Sequence, residues 1–89
     1  MLTPSYSKKF EKDLKKMIRR GKRQEKIKKV MRKLVEEIPL ENKYYEHKLI
    51  GNYDGRWECH IEGDWLLIYK KEKTKIFFER TGTHSDLFS

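Results

Sequence analysis

A chain of 89 residues, 40% charged and 36% hydrophobic, makes one small domain (residues 1–89), and a fold of this size buries about 60–65% of its unfolded surface. The single cysteine, Cys59, excludes an intrachain disulfide, and the longest apolar run, residues 65–69, is too short for a membrane span or a secretory signal, so a cytoplasmic protein with no membrane contact is expected. The formal net charge of +8 is uneven: residues 1–38 carry 14 Lys/Arg against 5 Asp/Glu, and residues 39–89 carry 8 against 9.

Residues 2–6 read as a short strand, and Pro4 confines it to an edge or an irregular start. Ser7 is placed to cap a helix running to about Arg20, with Phe10, Leu14, Met17 and Ile18 on one face. Gly21 breaks it. A second helix is expected from about Arg23 to Glu37, with Ile27, Val30, Met31, Leu34, Val35 and Ile38 inward, ended by Pro39. Residues 19–33 hold nine basic side chains and one acid, Glu25. Such a run is either a solvated helix face or a surface that neutralises phosphates and releases counterions. On the second reading Lys22, Lys26, Lys29 and Lys33 are the phosphate contacts.

Residues 39–55 form a connection rich enough in Tyr44, Tyr45, His47 and Leu49 to be ordered. Strands follow at 56–61, 64–70 and 75–81, with Glu62-Gly63 as a two-residue hairpin loop and 72–74 as a polar turn. Residues 82–89 are irregular or a single helical turn. The order β-α-α-β-β-β defines an α+β fold, a helical hairpin on one face of a mainly antiparallel, twisted sheet. The Glu62-Gly63 loop sets Ile61 opposite Asp64 and His60 opposite Trp65. Alternation then puts Trp57, Cys59, Ile61, Leu66 and Ile68 under the helices, and Arg56, Glu58, His60, Trp65 and Tyr69 on the open face.

The chemistry-bearing residues gather in the near-neutral half. His47 lies in the connection, His60 four residues before Asp64, and His84 just past the last strand. Singly, a histidine is most often a surface or hydrogen-bonded residue. Two or three together with a carboxylate on an open face are sufficient for RNA cleavage without a metal. One ring takes the proton of the ribose 2′-hydroxyl, another protonates the leaving 5′-oxygen, and cations stabilise the phosphorane-like transition state.

Three segments carry a resemblance to a known family: Glu46-His47-Lys48-Leu49-Ile50-Gly51, the run from Arg56-Trp57-Glu58-Cys59-His60-Ile61-Glu62-Gly63-Asp64-Trp65 to Tyr69, and Phe78-Glu79-Arg80-Thr81-Gly82-Thr83-His84 with Asp86-Leu87-Phe88. With the Ser7-Lys8-Lys9-Phe10 opening they resemble, in order and spacing, the YafQ branch of the RelE/ParE toxin superfamily. The resemblance covers essentially the whole chain. Lys48 departs from it, standing where the branch usually has proline.

The resemblance implies a RelE-like fold and a ribosome-dependent endoribonuclease that cuts messenger RNA at the decoding site and is neutralised by a cognate antitoxin with an acidic or amphipathic C-terminal segment. It implies that His47, His60, Asp64 and His84 are catalytic, His84 being the general acid and His47 or His60 the base. Glu58 would orient a histidine, Trp65 would stack on a base, Phe88 would support activity, and Arg80 would hold a phosphate. No cofactor and no metal are expected. Asp64 is expected to act on His60 across the tight turn.

Other readings remain open at this level. A non-catalytic nucleic-acid-binding module of the same fold fits the charge. A ParE-like, gyrase-directed toxin fits the fold but lacks the histidine set. A zinc site of Cys59, His60 and another histidine meets poor geometry, because adjacent strand residues point to opposite faces.

Overall fold

Ser7 decides where the first helix begins. Its Oγ accepts the N–H of Phe10 at 2.9 Å, satisfying one of the orphan donors of the first turn, and donates to the carbonyl of Glu79 at 2.8 Å, which ties that helix end to the sheet. The computed structural model describes residues 1–88, so the Ser89 end of the expected final segment lies outside the described residues. The elements are β1 (Thr3–Tyr6), α1 (Lys8–Arg19), α2 (Gln24–Val35), β2 (His47–Lys48), β3 (Trp57–Glu62), β4 (Trp65–Lys71), β5 (Lys75–Gly82) and α3 (His84–Phe88), with short 3₁₀ turns at Asn42–Tyr44 and Gly51–Tyr53.

The sheet has the order β1-β5-β4-β3-β2, with β1 parallel to β5 and every other pair antiparallel. Pro4 sits on the edge strand, where its missing N–H leaves no ladder bond unmade. The two-residue strand β2 within the connection was not expected from sequence. It adds an outer strand by pairing His47 with Glu58 and Lys48 with Trp57. Beyond Tyr6 the edge of β5 has no strand partner, and Asp13 of α1 covers it: its carboxylate accepts the N–H of Thr81 at 3.2 Å and the guanidinium of Arg80 at 2.7 Å.

Helix α2 stops at Val35, earlier than Pro39 alone requires. Glu37 takes a left-handed conformation (φ 59°), and the N–H groups of Glu37 and Ile38 return to the carbonyls of Leu34 and Lys33. Ile38 is therefore exposed rather than inward. Phe10, Leu14 and Met17 of α1 and Ile27, Val30 and Leu34 of α2 meet Cys59, Ile61, Trp65, Leu67, Tyr69, Ile76 and Phe78 in the main core.

The β3–β4 hairpin corrects the expected register. Glu62 pairs with Trp65, so the turn residues are Gly63 and Asp64, and a bulge between His60 and Glu62 pairs His60 with Leu66. A one-residue slip moves every side chain of a strand to the other face. Trp65, Leu67 and Tyr69 thus lie under the helices, while Leu66 and Ile68 lie on the opposite face beneath Leu87, Leu49 and Tyr53. That face is only partly open, because the connection and α3 form a small second core over its centre. β3 keeps the expected alternation, with Glu58 and His60 facing away from the helices.

Helix α3 is clamped to α1 by Asp86, whose carboxylate meets Arg20 at 2.7 Å and Lys16 at 3.4 Å and accepts the N–H of Thr83 at 3.0 Å. Gly82 is required by this closure, since a Cβ there would lie 3.0 Å from the Asp86 side chain. The Arg20 guanidinium, then the Thr83 N–H, hold the Asp86 carboxyl well below the usual carboxylate range. The clamp therefore contributes above the ordinary aspartate pKa and is lost as pH falls through the depressed one. Asp86→Asn is expected to lower Tm at neutral pH and to flatten the decline of Tm below roughly pH 4, read from thermal melts across pH.

Candidate active site

β3 sets the centre of the site, because alternate residues Glu58 and His60 project from it on the face away from the helices. β2 pairs directly with it, which brings His47 opposite Glu58. The His47 ring follows from its neighbours. Its Nδ1 lies 2.8 Å from the Tyr45 carbonyl, which can only accept, so Nδ1 carries the proton and Nε2 turns toward Glu58. Glu46, one residue back, reaches through to the other side of the sheet, where the Tyr69 hydroxyl donates to it and Lys71 pairs with it at 2.9 Å. Tyr69, a core residue, thereby pins the segment that holds His47.

Glu58 Oε1 stands 3.4 Å from Nε2 of His47 and 3.4 Å from Nε2 of His60, with only 5% of its side chain accessible. The carboxylate thus lies within reach of both rings and fixes how they face each other. His84 begins α3, and Asp64 of the hairpin turn holds it twice: Oδ1 accepts the His84 backbone N–H at 2.9 Å and faces Nδ1 at 2.6 Å. The backbone N–H of His84, then its ring, lower the Asp64 pKa and keep that carboxylate ionised. Nδ1–H donates to Asp64, leaving Nε2 for chemistry.

The rings form a row. The His47 and His60 centroids are 6.4 Å apart, those of His60 and His84 5.9 Å, and that of Phe88 lies 6.1 Å beyond His84. His47, His60, His84, Asp64, Glu58 and Phe88 are thus brought together. The expected Asp64–His60 pairing is corrected: Asp64 belongs to His84, because it sits in the turn itself and faces the start of α3, and Glu58 is the carboxylate of His60.

Burial corrects one other expectation, and pairing narrows two more. Trp65 is completely buried and donates its indole N–H to Thr81 Oγ1 at 2.9 Å, so it cannot stack on a base. Arg80 is held by Asp13, which leaves its guanidinium only partly free for a phosphate. Of the four lysines, Lys22 and Lys26 pair with Glu62 and Lys33 with Glu41, while Lys29 has no ion pair among the described residues. Lys26, Lys29 and Lys43 border a groove of about 390 Å³ beside Tyr44, one residue from Tyr45.

Cys59 faces the helices, opposite to His60, and burial pushes its thiol up to about 12, so the Cys59–His60 zinc arrangement fails. A different set has ligating character: atoms of Glu58, His60 and His84 lie within 4.8 Å of one another, and two imidazoles with a carboxylate suit a divalent first-row ion. Glu46, Tyr69 and Tyr45 were missed as site residues. The adjacency of Tyr45 and Glu46 to His47 was the available signal, but Tyr69 is far away in sequence.

A helical hairpin on one face of a small sheet, with a row of three histidines and two carboxylates on the other, gives a RelE-like α+β scaffold carrying a cluster of ionisable groups. A model of the family described as bacterial toxin of type II toxin–antitoxin system, YafQ, matches residues 2–89, and the chain belongs to that family. The mRNA interferase toxin YafQ of Escherichia coli strain K12 is 42% identical over 84 residues, covering 93% of this chain and 91% of the relative. YafQ in the crystal structure of the E. coli DinJ–YafQ complex superposes with a TM-score of 0.93 at 39% identity, over 100% of both chains. A metal-bound toxin from Helicobacter pylori matches with a TM-score of 0.92 at 42% identity, covering 99% of this chain and 100% of that one. Among the described residues no helix is long and apolar enough to cross a membrane.

Proposed function

We propose that this protein is an endoribonuclease toxin that cuts messenger RNA on the ribosome by metal-independent acid–base catalysis. The observation that carries the reading is the row of three imidazoles, with Glu58 between two of them and Asp64 behind the third. His60 is the general base, since its Nδ1 has no partner among the described residues while Nδ1 of His47 is occupied by the Tyr45 carbonyl. It takes the proton of the 2′-hydroxyl. The 2′-oxygen bonds to phosphorus, the bond from phosphorus to the 5′-oxygen breaks, and His84 Nε2–H protonates that leaving oxygen. His47, in its protonated form, would supply positive charge to the phosphorane-like transition state. Glu58 and Asp64 are positioning residues. The products are a 2′,3′-cyclic phosphate and a 5′-hydroxyl.

The test is incubation with programmed ribosomes, followed by mapping of RNA ends and their chemistry. Cuts within the decoding-site codon that leave cyclic phosphate support the reading; intact messenger, or 3′-hydroxyl ends, would sink it. Cleavage should persist when transition metals are chelated and magnesium is kept for the ribosome. Added zinc or copper should inhibit, because an ion held by Glu58, His60 and His84 occupies the lone pairs that proton transfer needs. Metal-dependent cleavage would overturn the mechanism.

The basic helices would grip ribosomal RNA. Lys29→Gln should lower the salt slope of ribosome binding by about one, because each released phosphate contact removes about one counterion. Lys22→Gln should change it less, since Lys22 is already partnered by Glu62. Equal, negligible slopes would make the run a solvated face. A cognate antitoxin is the natural partner of a +8 toxin. The apolar groove of about 580 Å³ lined by Pro4, Tyr6, Phe10, Leu14, Met31 and Val35 offers an amphipathic segment a place to bury its apolar side.

A further inference from the structure

We propose that Tyr45 is a nucleobase-binding residue of this site, stacking on the base of the nucleotide that supplies the attacking 2′-hydroxyl; the proposal rests on the ribonuclease reading above. Tyr45 is 64% exposed although it lies directly against the histidine row, its ring centroid 4.6 Å from that of His47 and 5.5 Å from that of His60. Its backbone is left-handed (φ 47°, ψ 52°), a conformation that a bulky aromatic residue adopts only at a cost and that glycine adopts freely. The surroundings enforce it. The Tyr45 N–H donates to the Asn42 carbonyl at 2.9 Å, its carbonyl takes the His47 Nδ1–H, and the next side chain, Glu46, is fastened to Tyr69 and Lys71. An exposed ring in a strained conformation adds little to folding, and such residues cluster where a ligand is clamped.

Position decides which base it meets. The row of rings runs Tyr45, His47, His60, His84, Phe88, with an exposed aromatic ring at each end. The proton acceptor His60 has its ring within 5.5 Å of Tyr45, and the proton donor His84 has its ring 6.1 Å from Phe88. The base on the 5′ side of the cut therefore falls at Tyr45, and the base on the 3′ side at Phe88. This is the stacking task that sequence resemblance gives to the buried Trp65. Stacking tolerates any base, so Tyr45 contributes affinity for a nucleotide at that position rather than base identity.

The experiment compares wild type, Tyr45→Phe and Tyr45→Gly on programmed ribosomes carrying a normal messenger or one with an abasic ribose immediately 5′ of the cut. Cleavage rate is measured at several toxin concentrations and across pH. Wild type should lose about tenfold or more in kcat/KM on the abasic messenger. Tyr45→Gly should lose about the same on the normal messenger and little further on the abasic one, with Tm little changed and the pH profile unmoved. Tyr45→Phe should behave as wild type. An abasic ribose on the 3′ side should not couple to Tyr45. Equal losses for Tyr45→Gly on both messengers, or a displaced pH profile, would make the ring a support for His47 and overturn the proposal. An inert wild type would overturn the ribonuclease reading and this proposal together.

Discussion

Replacing His84 with alanine is expected to cut turnover by about 10²–10⁴-fold, the range for loss of a positioned proton donor. Stability should barely change, because the side chain is more than half exposed and the backbone N–H that bonds Asp64 at 2.9 Å survives the substitution. Asp64→Asn should cost less, since an amide oxygen can still accept from both the His84 backbone and Nδ1 while the negative charge is gone. In a His84→Ala background Asp64→Asn should add almost nothing, because the aspartate acts through that ring. The sign of the pH dependence follows from the same pair. The His84 backbone N–H and ring lower the Asp64 pKa, so its carboxylate is formed throughout the neutral range and protonates only below the ordinary aspartate value. The acid limb of activity should therefore not be set by Asp64 and should keep its position in Asp64→Asn. Single-turnover cleavage across pH reads both quantities, and a loss under threefold in His84→Ala removes His84 from the role of acid.

Trp65→Ala is expected to produce the largest loss of stability, about 3–5 kcal/mol. Total stability for a domain of this size is about 4–13 kcal/mol, so much of the population would unfold at physiological temperature. The cause is the cavity left among Cys59, Leu67, Tyr69 and the helices, together with loss of the indole donor to Thr81. Trp65→Phe keeps most of the volume and should cost about 1–2 kcal/mol, with RNA cleavage by the folded fraction unchanged. Chemical denaturation with parallel cleavage assays separates the two roles. A Trp65→Ala protein of normal stability but weakened RNA binding would restore the stacking role and contradict the burial.

The contrast between Trp65 and Tyr45 shows where sequence reading stops. Both are aromatic residues within a few positions of a histidine, and nothing local distinguishes them. Which face a strand residue takes depends on register. Register here turns on one bulge between His60 and Glu62, which moves the turn to Gly63-Asp64 and sends Trp65 inward. The same shift leaves Asp64 at the tip of the hairpin, where it meets His84 instead of His60. Arg80 makes the parallel point, since Asp13 reaches it from a helix 67 residues away.

Features that rest on short-range physics are readable along the chain alone. The cap at Ser7, the helical periodicity over Phe10, Leu14 and Met17, the edge position of Pro4 and the alternation of Glu58 and His60 are each set by neighbours a few residues apart. That His47, His60, His84, Asp64 and Glu58 come together was also expected, because their spacing resembles a family pattern along the whole chain. How those groups are paired, which aromatic residue faces the site and which cations remain free emerge only in the fold. These depend on strand register, on β2 adding to the sheet through His47 and Lys48, and on ion pairs between residues distant in the chain. The physical reason is cooperative: each such contact forms only once the core has fixed both partners, so no local segment encodes it alone.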